Sequence, residues 1–431
     1  MSLSLIILNW LTFAWLLGWA IRAILDIGST QRRSVSFLLL VFFVFYGIPI
    51  FLDLIFGIPD YDGTPGFLVG ATTSSVAVVY DLFVAVCPPF WWFTARSQRQ
   101  SGDRLLVFAG KKAQKVLWLL LASPVIALVF APQPGVYLTY GAVLGANMSV
   151  AASAFHGIIG GLSILSLVAG TGLLLFRHNF GRSCLLVLPF VTASIWLEGK
   201  RTIVALCIVL FWAVAWMRGL LTQSRLITFG ACTLIAFGGY VAWYQLTFRP
   251  TSVANSYSVY ENSRVDYGRD HDLKAAIYCE LKGDDQPILE YRGQSILFYL
   301  TMYVPRSRWP EKPWPYAVYV TAHALQISAT DIGWGLTSSF LDEAVANFGW
   351  LGLLVGPLAF ALLCRICDHS PDPFVKVVGV LVACLLMSVE LAAFAPLVIA
   401  WAFYLGWSQR VLRGVPRRLS AMTYGHLRTR T

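Results

Sequence analysis

The densest run of chemistry-bearing side chains is Val304-Pro-Arg-Ser-Arg-Trp-Pro-Glu-Lys-Pro-Trp-Pro315. Pro305, Pro310, Pro313 and Pro315 forbid a regular helix and stiffen the backbone. On that frame Arg306, Arg308 and Lys312 alternate with Trp309 and Trp314. Guanidinium groups grip phosphate oxygens bidentately, and a lysine adds a point charge. The indoles offer flat faces to sugar rings. The set suits a sugar carried on a lipid diphosphate, and it equally suits an interfacial anchor of Arg and Trp on lipid headgroups.

A second run, Ser338-Ser-Phe-Leu-Asp-Glu-Ala-Val-Ala-Asn-Phe-Gly349, reads as a helix start. Ser339 and Asp342 have the spacing of a capping box. Two carboxylates in a first turn also complement the helix dipole. Glu343 and Asn347 stand at i and i+4, on one helical face. A carboxylate there could take a proton from a sugar hydroxyl.

A third, Glu198-Gly-Lys-Arg-Thr202, places charges between two hydrophobic runs. Lys200 and Arg201 could hold a diphosphate from the side opposite the prolines. Alternatively Gly199 makes a tight turn with snorkelling basic chains. Asp81 and Glu390 are further carboxylates at membrane depth. His156, His271 and His323 are possible bases on the outer side. The stretch 262–272 alternates charges and predicts a solvated surface. Cys364-x-x-Cys367 has no second pair, and no metal site is expected. No phosphate-binding glycine loop or dinucleotide fingerprint is present.

These groups must be positioned by a membrane-embedded scaffold. Of 431 residues, 57% are hydrophobic and 13% charged, and mean hydropathy is +0.67. Soluble domains are nearer a quarter charged, so a soluble enzyme, a disordered regulator and a disulfide scaffold are excluded. Apolar runs near 20 residues fall at 3–21, 34–52, 67–92, 116–132, 156–176, 183–197, 203–217, 226–246, 347–364, 375–391 and 394–408. The sixth and seventh could instead form one broken or re-entrant pair. The expected fold is all-α, a polytopic membrane protein with about eleven spans and one large extracytoplasmic segment. It divides into an N-terminal bundle (1–246), the outer segment (247–346) and three C-terminal spans with a basic tail (347–431).

Alternate loops 22–33, 94–115, 177–182, 218–225, 365–376 and 409–431 hold 21 Lys and Arg residues, and the opposite short loops 53–66 and 133–155 hold none. That asymmetry predicts an outside N-terminus, an inside C-terminus and an outer 247–346 segment. It also accounts for the net charge of +10 without nucleic acid.

The Pro-Arg-x-x-Trp-Pro-x-Lys-Pro run, followed by Glu-x-x-x-Asn-Phe-Gly, resembles the bacterial oligosaccharide repeat-unit (O-antigen) polymerases. The matching residues are Pro305, Arg306, Trp309, Pro310, Lys312, Pro313, Glu343, Asn347, Phe348 and Gly349. The basic turn Gly199-Lys-Arg-Thr202 is similar too. The resemblance implies a glycosyltransferase of the bacterial cytoplasmic membrane, active on its outer face. Its substrates would be undecaprenyl-diphosphate-linked oligosaccharides, with membrane lipid and a chain-length regulator protein as partners and no cofactor. On that reading Glu343 is the base, with His323 in reserve. Arg306, Lys312, Lys200 and Arg201 face the diphosphate, supported by Arg308. Trp309, Trp314 and Asn347 bind the sugar chain. A lipid-linked glycan ligase and a transporter or flippase of lipid-linked sugars are the alternatives.

Overall fold

A computed structural model describes residues 2–29, 33–95, 111–144, 148–176, 179–248, 256–283, 287–370 and 372–414. The basic stretches 96–110 and 415–431 that weigh in the charge asymmetry lie outside the described residues. Among the described residues the protein is all-α, and it is a polytopic membrane protein with eight helices long and apolar enough to cross a bilayer.

The helices are α1 (Leu3–Ile27), α2 (Ser34–Phe56), α3 (Pro65–Thr72), α4 (Ser74–Thr94), α5 (Lys111–Leu128), α6 (Val150–Phe176), α7 (Phe180–Glu198), α8 (Arg201–Met217) and α9 (Gln223–Phe248). Then come α10 (Ser256–Tyr267), α11 (Asp270–Lys282), α12 (Gln294–Thr301), α13 (Tyr316–Leu325), α14 (Phe340–Phe348), α15 (Gly352–His369), α16 (Pro373–Ser388) and α17 (Ala395–Gly414). Each of the eleven apolar runs falls on a helix. Three of them, in α5, α8 and α16, are shorter than a full span. The run at 67–92 divides at Thr73, which is extended, so its first residues form the separate helix α3. Gly199 ends α7 in the left-handed region at φ 66°, and α8 follows directly. Residues 183–217 are therefore two helices joined by a glycine turn.

Burial varies as a bilayer protein requires. Twelve of the 16 residues of α16 are buried, which makes it the central helix. Its start is fixed by Asp372, which accepts from the Phe374 amide at 2.9 Å and from the Tyr404 hydroxyl at 2.7 Å. By contrast only 6% of the most apolar stretch of α9 is buried, and Leu234 and Ile235 are 75% and 77% exposed. In water such a surface would cost about 25 cal/mol per Å², whereas lipid accepts it.

The stretch 262–272 is not a solvated surface. Arg264, Arg269, Asp270, His271 and Asp272 are all at most 3% exposed. Asp53, from the end of α2, accounts for this. Arg264 Nε and Nη2 donate to the Asp53 carboxylate at 3.0 and 3.1 Å, while its Nη1 and Nη2 donate to Asp270 at 2.8 Å each. Lys274 Nζ donates to Asp270 Oδ2 at 2.9 Å. Paired in this way, the charges carry α11 into the bundle, where all of Asp270 to Ile277 is buried. Helix α11 packs against α3, α4 and α14.

A π-helical turn at Phe43–Gly47 interrupts α2. Such bulges loosen the regular carbonyl ladder. Here Phe45 O accepts from the Arg269 amide at 3.2 Å and Tyr46 O from the Tyr80 hydroxyl at 3.1 Å.

Candidate active site

Helix α14 presents the two carboxylates of the helix-start motif to different neighbours. Ser339 and Asp342 form the expected capping box: Asp342 Oδ1 accepts from the Ser339 amide at 2.9 Å, and Ser339 Oγ accepts from the helix amides. The Tyr46 hydroxyl, aimed by the π-turn, joins Ser339 Oγ at 2.6 Å. Asp342 is thus a capping residue inside the protein, 0% exposed.

Glu343 turns toward α12. Its Oε1 accepts from Ser295 Oγ at 2.6 Å. Asn347, one turn on, donates Nδ2 to Ser295 Oγ and to the Glu343 carbonyl, each at 2.8 Å. Ser295 is 0% exposed, Glu343 2% and Asn347 4%. The Tyr299 hydroxyl, one turn after Ser295, lies beside the Glu343 carboxylate and faces it.

Around this pair the protein leaves several buried polar atoms without a hydrogen-bond partner. Glu343 Oε2, Tyr299 Oη, Asp342 Oδ2, Tyr316 Oη and both oxygens of Asp272 are among them. Tyr299 stands beside Glu343 and Tyr316 beside Asp342, so these groups face one another inside the protein. Burial, reinforced by Asp342, pushes the Asp272 carboxyl well above its ordinary range. Glu390 accepts from the Ala317 amide at 3.0 Å. Arg269 is the cation acting on Asp272 and Asp342. Its Nε donates to Ser388 O at 2.9 Å, and its Nη2 reaches Thr337 Oγ1 and Asp266 O.

The proline-rich segment runs as a strap from α12 to α13. Lys312 is buried, and its Nζ donates to Met302 O at 2.9 Å and Val304 O at 3.1 Å, capping the open end of α12. Burial, with Arg306 nearby, lowers its pKa. Arg306 lies 3.3 Å over the Trp314 ring and donates to Pro310 O at 3.3 Å and Pro313 O at 3.0 Å. Trp309 is half-buried, whereas Arg308 is exposed and open to a ligand. The strap sets the start of α13, where Tyr316 lies beside Asp342.

The remaining expected residues sit at the margins. Arg201 Nη2 pairs with Asp266 Oδ2 at 2.8 Å, and its Nη1 donates to the Tyr267 hydroxyl at 3.2 Å. That links the basic turn to α10, and Asp266 in turn leads to Arg269. Lys200 is 50% exposed and 3.4 Å from Glu198 Oε1. His323, on α13, has a buried Nε2 without a partner, and its pKa is lowered by burial. Among the described residues, no group of three or more His, Cys, Asp and Glu side chains could hold a metal ion.

Asp272, Arg269, Ser295, Tyr299 and Tyr316 are the members of the site that sequence reasoning missed. For Asp272 and Arg269 a signal existed: a dense charge run in so apolar a chain, with Asp270 and Lys274 at i,i+4. Ser295 and the two tyrosines carry no signal, because they matter only through contacts across the fold.

Comparison of the chain with protein-family profiles, with curated proteins and with solved structures finds no match.

Proposed function

We propose that this chain is a membrane glycosyltransferase that polymerises undecaprenyl-diphosphate-linked oligosaccharide repeat units into a surface polysaccharide. It would work in the bacterial cytoplasmic membrane with segment 247–346 outside. The observation that carries the reading is the buried Glu343 carboxylate, fixed by Ser295 on one oxygen and faced by the Tyr299 hydroxyl. It sits on the Glu-x-x-x-Asn-Phe-Gly element, and the strap that carries the Pro-Arg-x-x-Trp-Pro-x-Lys-Pro element leaves the end of α12, the helix of Ser295.

In this mechanism Glu343 Oε2 accepts the proton of an acceptor-sugar hydroxyl as its oxygen attacks the anomeric carbon of the donor. The anomeric C–O bond to the diphosphate breaks, and undecaprenyl diphosphate departs with the bonding electron pair. Glu343 then gives up the proton to water that enters as the product departs. Arg308 and Lys200 are the cations open to the diphosphate. Arg306 adds the N–H groups it does not donate to the strap, and Lys312 keeps that strap in shape. Fixed cations stabilise the charge that grows on the leaving group. Trp309, Trp314 and Asn347 border the sugar path.

The test is a deletion strain complemented with the wild-type or the Glu343→Gln chain. Polymer length on gels and extracted lipid-linked glycans are measured. Loss of long chains with accumulation of single repeat units on the outer leaflet is the expected result. Long chains that form but stay on the lipid carrier would indicate a ligase. Repeat units trapped on the inner leaflet would indicate a flippase.

A further inference from the structure

A recess of about 310 Å³ opens where the start of α1, the end of α2 and the start of α4 meet, away from Glu343. Asp53, Asp81, Tyr80 and Lys274 line it, and so does Ser74. Asp53 and Asp270 are already matched by Arg264 and Lys274, two charges against two. Asp81 is a further carboxylate, 2% exposed, and its Oδ2 has no hydrogen-bond partner. A carboxylate inside the membrane without a full partner is a functional signal.

The start of α4 supplies the opposite charge preference. Ser74 begins the 21-residue helix α4, and the preceding Thr73 gives no side-chain cap, because its hydroxyl donates to Val69 O at 2.7 Å. First-turn amides left uncapped favour an anion, above all phosphate. Asp81 stands about two turns further along α4, and helical side chains lean toward the N-terminus. Its carboxylate therefore faces back toward that first turn. The recess is far larger than a bare cation needs. Its placement at helix ends is where lipid headgroups lie.

We propose that this recess binds the phosphoethanolamine headgroup of a phospholipid, with its ammonium on Asp81 and its phosphate at the first turn of α4. The bound lipid would brace α1 against α4 beside the Arg264 network. The same chemistry occurs where phosphoethanolamine decorates a sugar, and the two sources are separable by experiment.

The full-length protein, purified in detergent, is mixed with dioleoyl phosphatidylethanolamine, phosphatidylcholine or phosphatidylglycerol, and bound lipid is counted by native mass spectrometry. Phosphatidylcholine has a bulkier ammonium that cannot donate hydrogen bonds, and phosphatidylglycerol has no ammonium. Ethanolamine lipid should bind at least about tenfold more tightly than either. Asp81→Asn should bring it down to the phosphatidylcholine level. Ala77→Phe, which fills the recess from its wall without touching a charge, should do the same while a thermal melt confirms folding. Equal binding of the three lipids, or ethanolamine lipid retained in both variants, overturns the proposal. Soluble phosphoethanolamine binding where the lipid does not would assign the recess to a sugar substituent and also overturn it.

Discussion

Ser295 and Glu343, 48 residues apart in the chain, meet in a 2.6 Å hydrogen bond that no solvent reaches. Ser295 also accepts from Asn347, so its single proton goes to Glu343. The bond fixes which Glu343 oxygen stays free, and it makes α12 part of the site.

Glu343→Gln keeps size and hydrogen bonding but loses basicity, and should slow polymerisation about a hundred- to ten-thousandfold. Ser295→Ala leaves the base in place without its anchor and should cost only about tenfold. Both are read as polymer length against protein abundance in membranes. Asp342→Asn weakens the capping box that Asp342 closes, and should lower thermal stability by about 0.5–2 kcal/mol. If Glu343→Gln polymerises at the wild-type rate, the base lies elsewhere.

The strap separates its cations into those that hold it and those that face outward. Lys312→Met removes two charge-assisted bonds to carbonyls, each about 1.5–3 kcal/mol. It should make the 302–315 segment sensitive to protease and lower the melting temperature. Arg308→Ala, at an exposed position, should leave the melt unchanged and reduce polymer. Arg306→Lys should fall between, since an ammonium cannot both span two carbonyls and lie flat on Trp314. A Lys312→Met protein that melts like wild type would place Lys312 at the substrate instead.

The eight long apolar helices were legible because a span announces itself by length and hydropathy, and the capping box because its partners are three residues apart. Gly199 was legible as a turn for the same local reason. Helix α11 was not. Alternating charges ordinarily mean solvent, and here they mean burial because Asp53 lies 211 residues from Arg264. The residue types of the strap were visible, but not that Lys312 and Arg306 would point at carbonyls of their own loop. Ser295 carried no mark of its role, since a serine in a weakly apolar stretch becomes an anchor only when α14 is set beside it.

Arg264 should dominate stability on this side of the bundle. Arg264→Met strands Asp53 and Asp270 as buried carboxylates short of a partner, at a cost of about 3–5 kcal/mol. Arg264→Lys keeps the charge without the fork, and should melt between the two. Replacing Arg264, Lys274, Asp53 and Asp270 together with apolar residues of similar size should recover much of the loss, since Lys274 shares both carboxylates and a buried ion-pair network is itself no large source of stability. Additive losses in the quadruple variant would mean that the network does more than satisfy its own charges.

His271 and Asp272 should give the fold two opposing pH responses. Burial lowers the His271 pKa to about 3, with Asp270 opposing and Arg264 adding to the shift. An unfolded histidine titrates near 6.5. Between those values the unfolded chain binds a proton that the folded chain refuses, so stability is lost as pH falls, by up to about 1.4 kcal/mol per pH unit. Asp272 runs the other way. Burial and Asp342 raise it, so the folded state keeps a proton that the unfolded chain, titrating near 3.9, releases. Its contribution to stability declines as pH rises above that value. From about pH 4.5 to 6.5 the two slopes offset each other in the wild type. His271→Gln removes the first, so its melting temperature relative to wild type should climb as pH falls. Asp272→Asn removes the second, so its relative melting temperature should drop over the same range. Melts of the purified protein in detergent at half-unit pH intervals decide the matter. Slopes parallel to wild type in both variants would mean that neither group changes its protonation on unfolding.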